Sequence, residues 1–274
     1  MCYFGASFGK EYGLLGAIIG DIVGSPYEFH NIKSKDFELF CNNSHFTDDT
    51  ILTCATAEWL LTDKKPEECL RKWGSLYKNR TYENGTVAAF GKGFMNWLET
   101  NEGYNANTNG CIMRLSPIPL MIDDLKTALD KAVELTKITH NHQESLLATR
   151  VYIETMYLAK KGVKPNMIRN YITTKYHYDL PKSIDKIRPD YNKFYVSCKN
   201  SVPQAIVCAL EANSYEDAIR NAVSLGGDSD TLACMAGGIA EARFGVPDNL
   251  RKTAQKYVDD NISKVIMDFY SNIR

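Results

Sequence analysis

The chain has 274 residues, a formal net charge of −1, and apolar and charged fractions of 44% and 24%. This length supports a large domain with a substantial hydrophobic core, and the ordinary composition excludes a disordered or fibrous protein. A net charge close to zero also disfavours non-specific nucleic-acid binding as the main role.

The cysteines and the N-terminal sequence indicate a cytoplasmic protein. The eight cysteines form no C-x-x-C pair, and several lie inside helical runs. This usage is typical of reduced thiols rather than of a disulfide framework or a zinc site. Asp21 interrupts the apolar run near the N-terminus. The run is too short to span a bilayer, so the sequence predicts no signal peptide and no membrane segment.

Apolar residues recur with helical spacing along most of the chain. Runs of this kind cover residues 51–61, 125–136, 146–158, 205–210 and 218–225. The best strand candidate is the short segment KFYVSC at 193–198. We therefore predict an all-α fold in one compact domain over residues 1–274, with long loops of the kind that usually carry a functional site.

Residues 160–199 are basic and rich in aromatic side chains, with ten Lys or Arg against three Asp. Such a stretch can hold a phosphate-bearing ligand or single-stranded nucleic acid. The favoured interpretation is a solvated surface region whose tyrosines pack inward, because runs of charge usually form solvated faces.

Two acidic clusters each precede a helical run. In HFTDDTILTCATAEWLL (45–61), Thr47 or Asp48 can cap the helix and Asp49 can favour its positive end, yet one acid would suffice. In SLGGDSDTLACMAGGIAEARFG (224–245), carboxylates and a threonine again crowd a helix start. The paired glycines inside this second helix each cost about 1 kcal/mol against alanine, which predicts a close helix contact.

The two clusters facing each other would supply four carboxylates and two threonine hydroxyls. These hard oxygen donors suit Mg²⁺ or Mn²⁺, and four carboxylates favour two ions over one. Zinc is disfavoured because the sequence has no H-E-x-x-H and no Cys/His ligand spacing. An EF-hand is disfavoured because Leu232 falls at its fifth ligand position.

Four motifs, in order along nearly the whole chain, resemble those of the ADP-ribosylglycohydrolase family. They are GAIIGDIVGSPYEF (16–29), FTDDT (46–50), NGCIMRLSPI (109–118) with THNH (139–142), and LGGDSDTLACMAGGIAEARFG (225–245). The resemblance implies an orthogonal all-α helical bundle with two Mg²⁺ or Mn²⁺ ions in a cleft.

The resemblance also implies roles for individual residues. The implied metal ligands are Thr47, Asp48, Asp49, Asp228, Asp230 and Thr231. The implied ADP-ribose loop is formed by Asn109, Gly110, Cys111 and Met113. Glu28 would lie on a mobile loop over the metals, His140 would contact the distal ribose, and Tyr195 would stack on adenine. We expect Asp21 to support the ligands or the helix packing, and Arg114 to brace its loop through a salt bridge.

Two departures from the family pattern bear on the substrate. The loop usually reads Gly-Asn-Gly-Ser, but here it reads Thr108-Asn109-Gly110-Cys111, so a hydroxyl donor becomes a weak thiol donor. The Asp-Gly pair associated with arginine-linked substrates has no match, and residues 83–85 read Glu-Asn-Gly instead. We therefore expect arginine-linked ADP-ribose to be a poor substrate relative to oxygen-linked or nucleic-acid-linked ADP-ribose.

The implied reaction is cleavage of the glycosidic bond between the terminal ribose of ADP-ribose and an acceptor. Glu28 is the candidate general acid or base, and Asp48 or Asp230 can orient the attacking water. The substrate would be ADP-ribose itself or an ADP-ribosylated protein or nucleic acid, and we expect a monomer. The alternatives are an inactive ADP-ribose-binding module with a regulatory role and a metal-stabilised structural domain.

Overall fold

A computed structural model describes residues 13–80, 90–100 and 103–273. Within these ranges the regular structure is helical and contains no β-strand. Of the predicted strand at 193–198, residues 193–197 form a segment without regular structure in which Ser197 makes a single antiparallel bridge to Thr108, and Cys198 already begins a helix. The segment does not become a strand because its partner is itself a loop, which ends at a short 3₁₀ turn.

The described ranges hold fourteen α-helices, which confirms the predicted all-α fold. Their bounds are α1 Leu15–Gly24, α2 Asp48–Leu61, α3 Pro66–Tyr77, α4 Lys92–Thr100, α5 Pro117–Met121, α6 Leu125–Lys137, α7 Gln143–Lys160, α8 Pro165–Tyr176, α9 Ile184–Ile187, α10 Cys198–Glu211, α11 Tyr215–Leu225, α12 Ser229–Phe244, α13 Asp248–Ala254 and α14 Asp260–Asn272. None of the described helices is both long enough and apolar enough to cross a membrane.

Helix α12 is the central element, and helix α1 packs directly on it. Gly20 of α1 faces the α12 backbone so closely that an added Cβ would lie 2.0 Å from the carbonyl oxygen of Ala233. A Cβ on Gly237 would lie 2.1 Å from the carbonyl oxygen of Gly16. The close helix contact predicted from the glycines of α12 is therefore present, and it fixes where the N-terminal end of α12 lies relative to α1.

Helices α2 and α12, which follow the two acidic clusters, are capped differently at their N-terminal ends. Thr47 caps α2, since its side chain accepts a hydrogen bond from the backbone N–H of Asp49. Asp228 stands at the N-cap position of α12, but its side chain caps no backbone N–H there. Neither Asp48 nor Asp228 is used as a helix cap, so both carboxylates are available for other partners.

The basic region 160–199 runs from the end of α7 to the start of α10 and contains α8, α9 and the connecting loops. Tyr178 and Tyr191 are buried in it, whereas most of its lysines are exposed. This arrangement agrees with the solvated-surface interpretation.

Candidate metal centre and ligand cavity

Helices α1, α2 and α12 bring their acids together. One oxygen from each of Asp21, Asp49 and Asp230 lies within 4.8 Å of the other two. Oxygens from Glu28, Asp228 and Asp230 form a second group of the same size. Because Asp230 belongs to both groups, the carboxylates form one continuous cluster whose residues are far apart in the sequence.

Asp21 supports the start of α2. Its carboxylate accepts hydrogen bonds from the backbone N–H groups of Thr47 at 2.9 Å and Thr50 at 3.0 Å. The Thr47 hydroxyl also donates to Asp21, at 2.7 Å. Asp21 thereby orients Thr47 and holds α2 against α1, in agreement with the supporting role expected for it.

Burial, and after it the crowding of like charges, raises the pKa values of Glu28, Asp48, Asp49 and Asp230. Burial, together with Asp21 and Asp228, raises the pKa of Asp48 to about 7. Burial, together with Asp228 and Asp48, raises the pKa of Glu28 to about 8. Burial and the neighbouring carboxylates also raise the pKa values of Asp49 and Asp230 well above the ordinary range for an aspartate.

The donor set fits divalent cations. Buried Oδ1 atoms of Asp49 and Asp230 have no hydrogen-bond partner within the described ranges. A buried, unpartnered carboxylate oxygen is costly unless a donor or a cation meets it. Clustered carboxylate and hydroxyl oxygens, with no histidine or cysteine among them, match the preference of Mg²⁺ and Mn²⁺.

Glu28 is held near the cluster by its neighbour Asn31. The Asn31 amide donates to the backbone oxygen of Glu28 at 3.0 Å and to that of Gly227 at 3.1 Å. Its oxygen accepts from the backbone N–H of Gly227 at 2.7 Å. Gly227 has a φ of +73°, which favours glycine. Asn31, which sequence reasoning missed, thus joins the Glu28 segment to Gly227, the residue before Asp228.

A cavity of about 430 Å³ opens beside the acidic cluster. The acids lining it are Glu28, Asp48, Asp49, Asp228 and Asp230. The remaining lining includes Thr231 and, from the predicted ADP-ribose loop, Asn109, Gly110 and Met113. The Asn109 amide donates to Asp228 at 2.6 Å, so the loop and the acidic cluster are directly joined.

Three predicted site residues are absent from the cavity lining. Thr47 lies behind the acids, where it contacts Asp21. Cys111 is fully buried, and its thiol contacts the carbonyl oxygen of Thr108. Tyr195 packs on Tyr191 with ring centroids 5.0 Å apart. The prediction that these side chains bind ligand is untested, but their positions do not place them against one.

The aromatic side chain from this segment that lines the cavity is Phe194, and Val196 accompanies it. The segment is extended, so neighbouring side chains point to opposite sides. Tyr195, the predicted stacking residue, is one position after Phe194, so its side chain lies on the packed side of the segment rather than on the cavity side. Phe194 also stacks on Phe29, with ring centroids 5.8 Å apart and the planes inclined by 13°.

His140 lines the cavity, but both of its ring nitrogens are already engaged. Nε2 lies 2.9 Å from the Thr108 hydroxyl, and Nδ1 lies 2.7 Å from the Thr139 hydroxyl. Burial and the charge of Arg114 lower the pKa of His140 to about 3, so the ring is neutral at physiological pH. Although the His140 ring lines the cavity, neither of its nitrogens is free for a ligand, and the polar group next to it in the lining is the Thr108 hydroxyl.

Arg114 differs from its predicted role. It is fully buried and lines the cavity, yet no salt bridge joins it to any described carboxylate. Its Nη2 donates to the Thr139 hydroxyl at 2.8 Å and to the backbone oxygen of Leu135 at 3.3 Å. Among the described residues, Arg114 therefore braces the loop through neutral acceptors, and the predicted salt bridge is not found there.

Comparison with known proteins agrees with this geometry. A family model described as ADP-ribosylglycohydrolase matches residues 12–273. The ADP-ribosylarginine hydrolase Tri1 of Pseudomonas putida (strain GB-1) is 27% identical, over 85% of this chain and 70% of its own. ADP-ribosylhydrolase ARH3 of Homo sapiens is 23% identical, over 91% of this chain and 90% of its own. A solved structure titled ADP-ribosylglycohydrolase-related protein complex superposes with a TM-score of 0.72 at 19% identity, covering 97% of this chain and 98% of that one.

Fold and site together define an all-helical protein with an acid-lined ligand cavity between α2, α12 and the loop after Thr108. The chain belongs to the ADP-ribosylglycohydrolase family, as its motifs predict. Family membership and the named relatives support a hydrolase that acts on ADP-ribosyl glycosidic bonds.

Proposed function

We propose that this protein removes ADP-ribose from an acceptor by hydrolysing the bond at the anomeric carbon of the terminal ribose. The observation that carries the proposal is the junction of the acidic cluster with the loop at Asn109, whose amide donates to Asp228 in the cavity wall. A ribose placed at this junction would lie between the cluster and the loop.

Two Mg²⁺ or Mn²⁺ ions would complete the site. The overlapping carboxylate groups that share Asp230 support two ions rather than one. Asp48, Asp49, Asp228 and Asp230 would hold them, with Thr47 and Thr231 at the edge of the set. Such ions, when bound, can orient ribose hydroxyls and lower the pKa of a bound water. Asp21 already accepts hydrogen bonds from Thr47 and Thr50, which favours a supporting role for it.

The protein side chains would handle the protons. Water forms a bond to the anomeric carbon while the bond from that carbon to the acceptor breaks. Glu28, which lines the cavity beside Asp228 and Asp230, would donate a proton to the leaving atom of the acceptor. Asp48 or Asp230 would orient the water and accept its proton. Protons and charge then balance without any external reagent.

Substitution of Glu28 by glutamine tests this assignment. Glu28→Gln keeps the size of the side chain and removes its proton transfer, so we expect release of ADP-ribose to slow by about 10²–10⁴-fold. ADP-ribose affinity, measured by calorimetry, should change little. Glu38→Gln, at an exposed glutamate in the same segment, is the matched control and should behave as the wild type.

The outcomes separate the competing functions. Wild-type turnover in Glu28→Gln would remove Glu28 from the chemistry. Binding of ADP-ribose with no release from any acceptor, with either metal, would instead assign the regulatory binding module. Monomeric state and cytoplasmic location stay predictions. The acceptor also stays a prediction, because Glu83 and its neighbours at 81–89 lie outside the described residues.

A further inference from the structure

The cavity lining outside the acidic cluster contains a chain of hydrogen bonds that runs from Arg114 to Thr108. It passes through the Thr139 hydroxyl and the His140 ring, with successive distances of 2.8, 2.7 and 2.9 Å. Arg114, His140 and Thr108 all line the cavity. Arg114 can only donate, which fixes the direction of the first bond, and the directions of the bonds that follow depend on the tautomer of His140.

A guanidinium can only donate hydrogen bonds, so the Thr139 oxygen is the acceptor from Arg114. The Thr139 hydroxyl can then direct its own hydrogen to Nδ1 of His140, 2.7 Å away. A neutral imidazole that accepts at Nδ1 carries its hydrogen on Nε2. In this tautomer the Nε2 hydrogen is donated to the Thr108 oxygen, 2.9 Å away. The Thr108 hydroxyl hydrogen, which has no acceptor in the described part of the chain, is left for a ligand.

The hydrogen-bond chain also begins at a buried positive charge that no described carboxylate pairs with. The Nε and Nη1 atoms of Arg114 are buried without a hydrogen-bond partner among the described residues. The titratable groups that influence its pKa are Cys111 and Tyr104, and neither is a carboxylic acid. A buried cation lacking a counter-ion stabilises an anion nearby, because the low dielectric of the interior strengthens their attraction.

We propose that Thr108 is a specificity-determining residue that donates its hydroxyl to a phosphoryl oxygen of the ligand, with its orientation set by the chain from Arg114. The proposal rests on the proposed function, since the pyrophosphate of ADP-ribose is the anion that the cavity would receive. Arg114, Thr139 and His140 are positioning residues that act through Thr108. The hydroxyl that this loop lacks at Cys111, whose thiol is turned from the cavity, is thereby present at Thr108.

The first test is the tautomer of His140, read from the ¹⁵N chemical shifts of the imidazole in the free protein. The expected result is a neutral ring protonated at Nε2. A ring protonated at Nδ1 would overturn the proposal, because Nε2 would then accept from Thr108 and use the hydroxyl hydrogen.

The second test is binding of ADP-ribose in the presence of chelator, measured by calorimetry. Thr108→Val keeps the shape and removes the donor, so we expect its dissociation constant to rise by about tenfold to a hundredfold, as for a lost hydrogen bond to a charged group. Thr108→Ser restores the hydroxyl and should bind as the wild type. Equal affinity in the valine variant, or equal loss in the serine variant, would overturn the proposal.

Two further probes separate this proposal from the proposed function. Adenosine lacks phosphate, so its affinity should be the same for wild type and Thr108→Val; a parallel loss would indicate a purely structural role. Inorganic pyrophosphate tests the anion alone. Wild-type protein that binds pyrophosphate through Thr108 but releases no ADP-ribose from any acceptor would refute the proposed function and leave the role of Thr108 intact.

Discussion

Substitution of Gly20 by alanine tests whether the α1–α12 contact sets the geometry of the acidic cluster. The new Cβ would lie 2.0 Å from the Ala233 carbonyl oxygen, whereas real Cβ contacts essentially never fall under 3.0 Å. The obstacle is backbone, so the two helices must separate by about 1 Å. Overpacking of this kind costs about 3 kcal/mol, and the better helix propensity of alanine recovers about 1 kcal/mol.

We therefore expect Gly20→Ala to lower the free energy of unfolding by about 2 kcal/mol, which corresponds to a Tm lower by about 4–8 °C. Affinity for Mn²⁺ should fall as well, because Asp21 and Asp230 are carried by the two helices that separate. Gly103→Ala, whose Cβ would lie an ordinary 3.8 Å from the Ile138 carbonyl oxygen, is the control. Unchanged Tm and Mn²⁺ affinity in Gly20→Ala, measured by calorimetry, would refute the reasoning.

Three further predictions concern metal, pH and substrate. Asp230→Asn should weaken Mg²⁺ or Mn²⁺ binding and remove most turnover, and full activity of the wild type in chelator would contradict the proposed metal site. Burial opposes ionisation of Glu58, but hydrogen bonds from Lys64, Lys72 and Trp73 lower its pKa to about 2 from an ordinary 4.5. The stabilisation from Glu58 is thus present above pH 4.5 and lost toward pH 2, so denaturation curves of wild type and Glu58→Gln should converge over that range. Arginine-linked peptides should show a lower kcat/KM than matched serine-linked peptides, and the reverse order would contradict this expectation.

The acidic cluster could be predicted from the sequence because excess charge at a helix start is visible without a structure. Thr47 suffices to cap α2, so the two carboxylates that follow it needed another explanation. The glycines of α12 were equally informative, since their cost in a helix predicts the close backbone contact that α1 provides. Both inferences depend on local energetics, which a sequence reports well.

The part of the cavity lining outside the acidic cluster could not be predicted in the same way. The surroundings of Arg114 are set by tertiary contacts with Leu135 and Thr139, which no local pattern specifies. Choosing Tyr195 instead of Phe194 required knowing which side of an extended segment faces the cavity. Thr108 gave only a weak signal, as a hydroxyl residue beside the loop motif, and its role emerges from the ring orientation of His140.

The two walls of the cavity favour different parts of one ligand. The acidic wall repels an anion unless cations are bound there, and cations bound among these carboxylates could take the hydroxyl oxygens of a sugar as further ligands. The wall at Thr108 offers a donated hydrogen bond backed by the buried charge of Arg114, which favours an anion. Asn109 joins the walls through Asp228, so the two preferences are met at neighbouring positions. A ligand that satisfies both carries a ribose next to a phosphate, and ADP-ribose has this arrangement at its terminal ribose.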